Sequence, residues 1–235
     1  MLTARQIVSQ YEPFYENEGD NFVKDYTKDC ARYGRLAEKY LQLLQIDSYT
    51  AKILDLACGT GVVTIELAAR GFDCTGIDLS PICLKIARQL SAKRGVEVDW
   101  LHSDIRNIEY NSIFDIVLFW DVIFGIFTEE ENFKLLKSIA AALVKKGKCL
   151  LEVYNKEFAV KNGIENIFTY DEKLDLFVAD ANKSSIPYIQ LLSISEWDEW
   201  TAKAGLKIKN LDGWCFPADP DEGPLRVNYI ICEKI

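Results

Sequence analysis

The segment from residue 52 to residue 78 constrains the fold of this chain more than any other. It contains an apolar run over residues 52–57, a turn with the sequence Cys58-Gly59-Thr60-Gly61, a helical pattern over 62–70 and a second apolar run over 74–78. A strand, a crossover helix and a second strand this close together form a β-α-β unit, in which the two strands lie parallel. The sheet is therefore predicted to begin as a parallel one.

The same alternation of strand and helix patterns continues as far as residue 154. Ser80 is placed to be the N-cap of a helix and Pro81 its first residue. The apolar stripe of this helix consists of Ile82, Ile86 and Leu90. The further predicted elements are a strand over 96–100, a strand over 114–120, a helix over 129–144 and a strand over 148–154. Five strands joined by crossover helices predict an α/β fold with helices on both faces of the sheet.

The region before the first strand, residues 1–45, is predicted to be an N-terminal helical cap. Tyr26, Cys30, Tyr33 and Ala37 begin a helical spacing that continues to Leu44, so residues 22–45 are predicted to form an amphipathic helix. Residues 10–21 have the sequence QYEPFYENEGDN and no such spacing. They are predicted to be a loop or a short turn.

The last third of the chain has a different character. Residues 155–193 show no clean repeat and are predicted to be an irregular or short-strand insertion that covers the carboxyl edge of the sheet. Ser195 and Asp198 have the spacing of a capping box, which predicts a helix that stops at Gly205. Residues 206–214 and 226–234 are predicted strands, joined by a loop short enough for antiparallel neighbours. The chain, residues 1–235, is thus predicted to be one domain with a Rossmann-like, seven-stranded sheet, mostly parallel and ending in an antiparallel hairpin.

Composition limits the partners of such a domain. The 235 residues are 49% hydrophobic, enough to bury one substantial core, and the formal net charge is −9. Nucleic acids and anionic membranes are bound mainly through Lys and Arg, so this charge argues against both and favours a small-molecule partner. The longest apolar stretch, residues 113–127, is too short to span a membrane and includes Asp115 and Asp121.

The N-terminus has no apolar segment of signal-peptide length, which predicts a soluble, cytoplasmic protein. Seven cysteines occur without a C-x-x-C pair, and His102 is the single histidine. The cysteines are therefore interpreted as reduced and largely structural, and no metal site is predicted. The sequence is compatible with a monomer and with a homodimer.

The glycine turn after the first strand is the strongest indication of function. In an open α/β sheet the ligand binds beyond the carboxyl ends of the strands, where the strand order reverses. The Gly59-Thr60-Gly61 turn lets the backbone approach a ligand there, and Asp78, which closes the second strand, can accept both hydroxyls of a ribose. An adenosine-containing cofactor is therefore predicted. A dinucleotide fingerprint would have a third small residue where this chain has Thr64, which argues against a pyrophosphate.

This turn resembles the first motif of the class I S-adenosylmethionine-dependent methyltransferases, an acid near the end of the first strand followed by a turn of small residues. Here the motif is Asp55, Ala57 and Cys58-Gly59-Thr60-Gly61. The resemblance covers most of the chain and includes Asp78, the segment Ser103-Asp104-Ile105, the FDIVL strand, the KKGK sequence before the fifth strand and the terminal hairpin. It implies the cofactor S-adenosyl-L-methionine and a methyltransferase, a transferase that acts on a small molecule.

The resemblance also implies roles for individual residues. Asp104 and the backbone of Ile105 would contact the adenine, Asp78 would hold the ribose, and the backbone of residues 57–61 would accept from the methionine ammonium. The N-terminal helix is similar to that of glycine and sarcosine N-methyltransferases, in which a tyrosine and an arginine clamp the cofactor carboxylate. The cofactor-binding residues implied in this way are Tyr11, Tyr26, Arg32 (with Arg35 as its rival one turn away), Asp55, Ala57, Cys58, Gly59, Gly61, Asp78, Leu79, Asp104, Ile105 and Phe119. For Tyr26 and Arg32, a packed tyrosine and a solvated arginine remain the alternative interpretation.

Asp121, just after the fourth strand, is the candidate catalytic residue. A carboxylate flanked by Phe119, Trp120 and Phe124 would be partly desolvated. Desolvation raises the pKa of a carboxyl, which suits a general base or a group that orients an amine. The alternative interpretation is that Asp121 only caps the turn after the strand.

The acceptor pocket is predicted to be aromatic and largely apolar, which favours a small organic acceptor. The glycine-type enzymes carry an arginine just after the fifth strand that holds the acceptor's carboxylate. Tyr154 occupies that place here, so a free amino acid is disfavoured, whereas nitrogen and oxygen both remain open as the methylated atom. The predicted substrate-binding residues are Tyr15, Trp120, Phe124, Tyr154 and Trp214, with Phe14 and Phe216 as further candidates.

Two other functional classes stay open on the sequence alone. A nicotinamide-dependent oxidoreductase would also use a glycine turn beside the first strand, although it would normally have the third small residue. A non-catalytic S-adenosylmethionine-binding partner protein would keep the turn without needing an acceptor pocket. Binding of NAD or NADP would indicate the first class, and cofactor binding without methyl transfer would indicate the second.

Overall fold

A seven-stranded β-sheet forms the centre of the described chain. The structure, a computed structural model, describes residues 3, 6–7, 12–46, 50–120, 124–164, 167–184, 186–212 and 227–235, with the backbone alone at 14–15, 17–29, 212 and 227. In chain order the strands are β1 (Lys52–Leu56), β2 (Asp73–Asp78), β3 (Asp99–His102), β4 (Phe114–Phe119), β5 (Leu143–Tyr154), β6 (Phe168–Asp171), β7 (Leu176–Ala179), β8 (Tyr188–Ile189), β9 (Leu206–Asp212) and β10 (Val227–Lys234). The central sheet has the order β3-β2-β1-β4-β5-β10-β9, and β6, β7 and β8 form a smaller sheet.

The directions of the central strands agree with the sequence prediction. The pairs β1–β2, β1–β4, β2–β3 and β4–β5 are parallel, and β10 is antiparallel to both β5 and β9. β5 begins at Leu143, earlier than the predicted residue 148, and its ladder with β4 is irregular before Lys148. The strand order reverses beside β1, which is where an open sheet of this kind binds its ligand.

Helices cover both faces of the central sheet, as predicted. They are α1 (Glu12–Leu44), α2 (Val62–Ala68), α3 (Pro81–Arg94), α4 (Glu129–Ala142), α5 (Lys156–Asn162) and α6 (Ile194–Lys203). Apolar side chains of α1, α2 and α3 pack on one face, and those of α4 and α6 pack on the other. Alternate residues of β4 contribute to the two layers, Ile116 and Leu118 to the first and Val117 and Phe119 to the second.

α1 extends further toward the N-terminus than predicted. The sequence predicts a loop over residues 10–21, but residues 12–44 are continuously helical. Pro13 is compatible with the first helical turn, which does not need its missing N–H, and Glu12 is favourable at a helix N-terminus. The polar residues that follow have no apolar stripe, so periodicity does not detect this part of the helix. Across the described ranges, neither α1 nor any other helix has an apolar stretch long enough to cross a membrane.

β3 begins later than predicted, at Asp99 rather than at residue 96. Val96 and Val98 are partly buried in the layer that α3 also joins, so they keep the alternating pattern of a strand. The hydrogen-bonded ladder with β2 nevertheless starts at the pair Thr75–Asp99. Alternating burial without a neighbouring strand is therefore not enough to extend β3.

The segment over residues 155–193 contains short strands, as predicted, and also a helix that the sequence does not indicate. β7 pairs antiparallel with β6 and with β8. α5 begins after its N-cap Asn155, whose Oδ1 accepts from the N–H of Phe158 at 2.9 Å, and its seven residues are too few to show a helical period. The N–H of Gln190 donates to the carbonyl oxygen of Gly125 at 2.9 Å, so the insertion contacts the loop after β4 at the carboxyl edge.

The capping box of α6 lies two residues before the predicted one. The side chain of Ser193 accepts from the N–H of Glu196, and Glu196 Oε2 accepts from the N–H of Ser193 at 2.7 Å. The sequence has the same spacing at Ser195, so the prediction chose the wrong serine. Leu192 and Trp197 are both buried on either side of the observed cap, as in a hydrophobic staple, and this burial favours the earlier start.

Candidate functional site

The turn after β1 lies at the carboxyl edge of the sheet. Ala57, Gly59 and Gly61 have positive φ angles of 54°, 56° and 70°, a conformation that glycine adopts without strain. Between them, the N–H of Cys58 donates to the carbonyl oxygen of Ile77 on β2 at 3.0 Å. A Cβ built on Gly59 would meet nothing within 4 Å. The backbone at Gly59 therefore faces open space and leaves room for a ligand.

Gly61 has a different role, because the protein itself occupies the space beside it. A Cβ at this position would lie 2.1 Å from Cη2 and 2.7 Å from Cζ3 of Trp100. Nε1 of Trp100 donates in turn to Ser91 Oγ on α3 at 3.3 Å, which fixes the ring. Gly61 is therefore required by the packing of β3 and α3 against the turn.

Asp78 closes β2 beside this turn, and two backbone donors fix its carboxylate. Oδ2 accepts from the N–H of Gly59 at 2.8 Å, and Oδ1 accepts from the N–H of Ser80 at 2.8 Å. The residue is 3% exposed, so these bonds hold the carboxylate in one orientation. Ser80 Oγ also donates to Glu12 Oε1 at 2.6 Å, which brings the N-terminal end of α1 to the same edge.

Asp55 is fully buried in β1, and both of its carboxylate oxygens accept hydrogen bonds. Thr64 Oγ1 donates to Oδ2, and Trp120 Nε1 donates to Oδ1 at 3.0 Å. Thr64 lies in the first turn of α2, at the position where a dinucleotide fingerprint has its third small residue. A threonine at this position, in place of a glycine or alanine, is explained by its hydroxyl, which donates a hydrogen bond to a buried carboxylate.

The burial of Asp55 has a consequence for stability that can be measured. Burial raises the pKa of this carboxyl from 3.8 to about 7, although the bonds from Thr64 and Trp120 oppose the rise. Because the folded state holds the proton more tightly, the contribution of Asp55 to the free energy of unfolding is largest below pH 3.8. It decreases by roughly 4 kcal/mol as the pH rises through the folded value.

Urea unfolding of the wild type and of Asp55→Asn over this pH range tests that expectation. The difference between the two unfolding free energies should shift against the wild type as the pH rises toward about 7. Carboxyls elsewhere in the chain contribute equally to both proteins and cancel in the difference. A difference that stays constant with pH would contradict the raised pKa.

The turn, Asp55 and Asp78 lie in a part of the chain that matches a known family. Residues 53–147 match the family model described as a methyltransferase domain. The chain is 27% identical over 194 residues to a ubiquinone biosynthesis O-methyltransferase of Rickettsia canadensis, covering 77% of this chain and 74% of that relative. Its structure is similar to an S-adenosylmethionine-dependent methyltransferase of Clostridium acetobutylicum, with a TM-score of 0.69 and 16% identity over 92% of this chain and 98% of that one. The family match over residues 53–147 and these similarities support a class I S-adenosylmethionine-dependent methyltransferase.

S-adenosylmethionine is the cofactor of this methyltransferase. A further structural neighbour, the 1,6-didemethyltoxoflavin-N1-methyltransferase of Burkholderia thailandensis, was solved with S-adenosylhomocysteine bound. It has a TM-score of 0.64 and 13% identity, covering 100% of this chain and 91% of that one. The turn of the present methyltransferase is compatible with such a cofactor, because the backbone at Gly59 faces open space and a carboxylate such as that of Asp78 beside it can accept hydroxyls.

In the segment after β3, predicted to contact the adenine, Asp104 pairs with Arg106. Arg106 Nη2 lies 2.6 Å from Asp104 Oδ2, and Nη1 lies 3.0 Å from Glu131 Oε1 on α4. Burial alone would raise the pKa of Asp104, but the bonds from Arg106 outweigh it and lower the pKa below its ordinary value. An adenine amino group would share this carboxylate with Arg106. The side chain of Ile105 is buried, which leaves its backbone for the predicted contact.

Leu79 and His102 make a contact with each other at the same edge. His102 Nε2 lies 2.9 Å from the carbonyl oxygen of Leu79, so the ring has a structural partner. The predicted role of Leu79 in binding the cofactor stays a prediction. Within the described ranges there is no group of three or more His, Cys, Asp and Glu side chains that could hold a metal ion.

The described contacts do not link the predicted arginine clamp with the glycine turn. Arg32 and Arg35 are exposed, and the carbonyl oxygen of Gly34 between them accepts from Arg70 Nη2 at 2.8 Å. Arg70 follows the C-terminal end of α2, whereas the turn precedes its N-terminal end. A role for Arg32 or Arg35 at the cofactor carboxylate therefore stays a prediction without support from these contacts. The related residues outside the described part are Tyr11 and the side chains of Phe14, Tyr15 and Tyr26.

On the predicted acceptor side, Trp120 and Tyr154 are both partly exposed. They lie at the carboxyl ends of the neighbouring strands β4 and β5. Phe124 is instead buried, with its ring centroid 4.9 Å from that of Trp197 and 6.0 Å from that of Phe119, which is buried too. These rings support the site from within the core and do not line an open pocket. The other predicted residues here, Asp121, Trp214 and Phe216, lie outside the described residues.

Two residues that the sequence analysis does not place in the site contact its predicted members, and a third contacts a residue that bonds one of them. Thr64 bonds Asp55, Arg106 bonds Asp104, and Glu12 accepts from Ser80, whose N–H bonds Asp78. Arg106 has a usable signal, because a cation two residues after an acid in a turn can pair with it. Glu12 has none, because its partner is 68 positions away in the sequence.

Proposed function

We propose that this methyltransferase transfers the methyl group to an oxygen of a small, largely apolar aromatic acceptor, such as the hydroxyl of a phenol or catechol. The observation that carries the proposal is the similarity to the ubiquinone biosynthesis O-methyltransferase, which extends over 77% of this chain. That similarity favours oxygen over nitrogen, a choice that the motifs alone leave open. The relatives reported above are methyltransferases, so they do not favour the oxidoreductase alternative.

The residues at the carboxyl edge support an aromatic acceptor. Trp120 and Tyr154 are partly exposed at the carboxyl ends of β4 and β5, the edge of the sheet at which the glycine turn also lies. Glycine-type enzymes carry an arginine at the position of Tyr154, and its replacement here removes the cation that would hold an acceptor carboxylate. An apolar ring with a hydroxyl suits such a lining better than an amino acid does.

The chemical demands on the protein are small. When bound, S-adenosylmethionine supplies a methyl group that is already activated. The chain has to align the acceptor oxygen with that group and keep water away. The hydroxyl must also lose its proton as the oxygen attacks, and a carboxylate close to the end of β4 can accept it. Asp121 follows Trp120 directly and is the residue that we assign to this step.

Asp121→Asn is expected to lower kcat by about a hundredfold, because a general base contributes at least that much when the acceptor arrives protonated. The dissociation constant of S-adenosylhomocysteine should change by less than about threefold, since a residue acting on the acceptor proton adds little to cofactor affinity. Asp115→Asn is the matched control. Asp115 lies on β4 as well, but it accepts from the N–H of Lys52 at the opposite edge, at 2.8 Å. An unchanged kcat in Asp121→Asn would exclude the base.

Methyl transfer from labelled S-adenosylmethionine to a panel of acceptors tests the proposed function. The panel contains catechols, simple phenols, arylamines and free amino acids, and mass spectrometry of the products locates the label. We expect the label on the hydroxyl oxygen of catechols or phenols and none on amino acids. Transfer confined to amines would overturn the proposal for oxygen, and transfer confined to amino acids would overturn the aromatic acceptor.

A further inference from the structure

A buried chain of side chains connects the cofactor turn with the loop after β4. Asp55 lies opposite Leu118 in the β1–β4 ladder, so its carboxylate is close to the point where β4 ends. One oxygen accepts from Thr64 at the start of α2, and the other accepts from Trp120 just after β4, at 3.0 Å. Asp55 is fully buried, so water cannot replace either donor. The carboxylate thus joins three elements that meet at the site.

The indole of Trp120 is also held from its other side. Its ring centroid lies 6.1 Å from that of Tyr40 on α1, with the two planes at 59°. The hydroxyl of Tyr40 donates to Glu152 Oε2 on β5 at 3.1 Å, and Tyr40 is 1% exposed. Trp120 therefore has one hydrogen bond to β1 and one ring contact to a residue that is itself fixed.

The next residue in the chain after Trp120 is Asp121, the group assigned above to the acceptor proton. Trp120 is the last described residue before the loop, so a contact that fixes its side chain fixes the point at which the chain leaves β4. We propose that the hydrogen bond between Asp55 and Trp120 is a positioning contact that aligns the loop after β4 with the cofactor turn, and that it depends on the ionisation of Asp55. The inference rests on the proposed function, since it concerns the residue next to the assigned base.

The dependence on ionisation follows from the donors. An ionised carboxylate accepts from both Thr64 and Trp120 with charge-assisted hydrogen bonds, which are stronger than neutral ones. A proton on Asp55 makes it a weaker acceptor and loosens the indole. Burial raises the pKa of Asp55 to about 7, so this change occurs close to neutral pH. The contact should therefore be tight above that pH and weak below it.

Other titratable groups face Asp55 from the elements around it. They are Asp78 and Cys74 on β2, Cys58 in the turn and Tyr40 on α1. Among the described residues of α2 and of the segment after β4, the groups bonded to Asp55 are Thr64 and Trp120, which do not titrate in this range. Burial raises the pKa of both thiols and of Tyr40, which moves them further from neutrality. A variant of Asp55 is therefore needed to separate its titration from that of Asp78.

The indole N–H resonance of Trp120 in the full chain tests the contact without any acceptor. The resonance is assigned from its absence in Trp120→Phe. In the wild type it should shift with pH, with a midpoint near 7. In Asp55→Asn the shift should be absent. In Thr64→Val the midpoint should move to higher pH, because that variant removes a hydrogen bond that lowers the pKa of Asp55. A resonance that does not titrate, or that titrates equally in Asp55→Asn, would overturn the proposal.

Kinetic measurements test whether the contact between Asp55 and Trp120 affects methyl transfer. Trp120→Phe keeps the ring but loses the donor, and it should lower kcat roughly tenfold while S-adenosylhomocysteine affinity changes by less than about threefold. Trp200→Phe is the matched control, because Trp200 on α6 is partly buried against Phe133 of α4, at a ring-centroid distance of 5.4 Å, and makes no described contact with Asp55. Its kcat should equal that of the wild type. The wild type should lose kcat as the pH falls through about 7, and Asp55→Asn should lack the part of this limb that follows Asp55 and keep only the part caused by protonation of the base Asp121.

The two proposals can fail separately. If methyl transfer to phenols occurs but Trp120→Phe has the kcat and pH profile of the wild type, the positioning contact is wrong and the proposed function stands. If the panel shows transfer to a different acceptor class, the proposed function is wrong, and the resonance together with kcat on that acceptor still decides the positioning contact. Should Trp120→Phe fold poorly, Thr64→Val still tests the positioning contact, because the proposal predicts that the midpoint of the indole N–H titration moves to higher pH in that variant.

Discussion

Asp78→Ala is expected to weaken the binding of S-adenosylhomocysteine about a hundredfold. The carboxylate can accept two hydroxyls of the ribose, and each hydrogen bond to a charged group contributes about 1.5–3 kcal/mol. Losing about 3 kcal/mol corresponds to roughly two powers of ten in the dissociation constant. The N–H groups of Gly59 and Ser80 would also lose their shared acceptor, so the turn itself would be less ordered. Titration calorimetry measures the change directly.

Asp73→Asn is the matched control for this experiment. Asp73 begins the strand that Asp78 ends, and its carboxylate lies on the surface, 3.7 Å from Lys52 Nζ. Exposed ion pairs of this kind contribute little to stability, so S-adenosylhomocysteine should bind with the affinity of the wild type. If Asp78→Ala bound S-adenosylhomocysteine as tightly as Asp73→Asn did, Asp78 would not be the ribose acceptor.

Gly61→Ala is expected to lower the free energy of unfolding by about 3 kcal/mol. A left-handed backbone such as φ 70° costs a residue with a side chain about 1–2 kcal/mol of folding free energy. The added Cβ would also lie 2.1 Å from Cη2 of Trp100, and overpacking of this kind costs about 1–3 kcal/mol. For a chain of this length the thermal midpoint should fall by about 10 °C.

Gly59→Ala separates the cost of the left-handed backbone from the cost of overpacking against Trp100. Gly59 also has a positive φ, of 56°, but the space beside it is open, so only the backbone cost applies to folding. It should destabilise the chain by less than half as much as Gly61→Ala and should weaken cofactor binding more. Trp100→Phe, which removes the colliding part of the indole, should restore part of the stability of Gly61→Ala. Equal destabilisation by the two alanines would contradict the packing role assigned to Gly61.

Much of the fold could be predicted from the sequence because it rests on local patterns. The glycine turn after an apolar strand and the cap formed by Ser80 and Pro81 each have a local cause. The first half of α1 could not be predicted in this way. Its residues are largely polar, and the bond from Ser80 to Glu12 that brings its start to the sheet joins distant parts of the chain.

Part of the site could likewise be predicted from local patterns, and part of it could not. Gly59 and Asp78 are predictable, because a turn and an acid at the ends of adjacent parallel strands meet at one edge. The Asp55–Trp120 bond depends on the register of β1 against β4, which brings together residues 65 positions apart. Arg106 competes with the adenine for the carboxylate of Asp104. The motif Ser103-Asp104-Ile105 does not include Arg106 and so does not show this competition.

Calorimetric titration of the full chain with S-adenosylhomocysteine and, separately, with NAD tests the central claim most directly. The claim is that the open backbone at Gly59 and the fixed carboxylate of Asp78 hold the nucleoside of S-adenosylmethionine, and that Thr64, in place of the third small residue, disfavours a dinucleotide. It predicts saturable binding of S-adenosylhomocysteine that Asp78→Ala greatly weakens, and no binding of NAD. Saturable binding of NAD, or binding of S-adenosylhomocysteine that does not depend on Asp78, would contradict it.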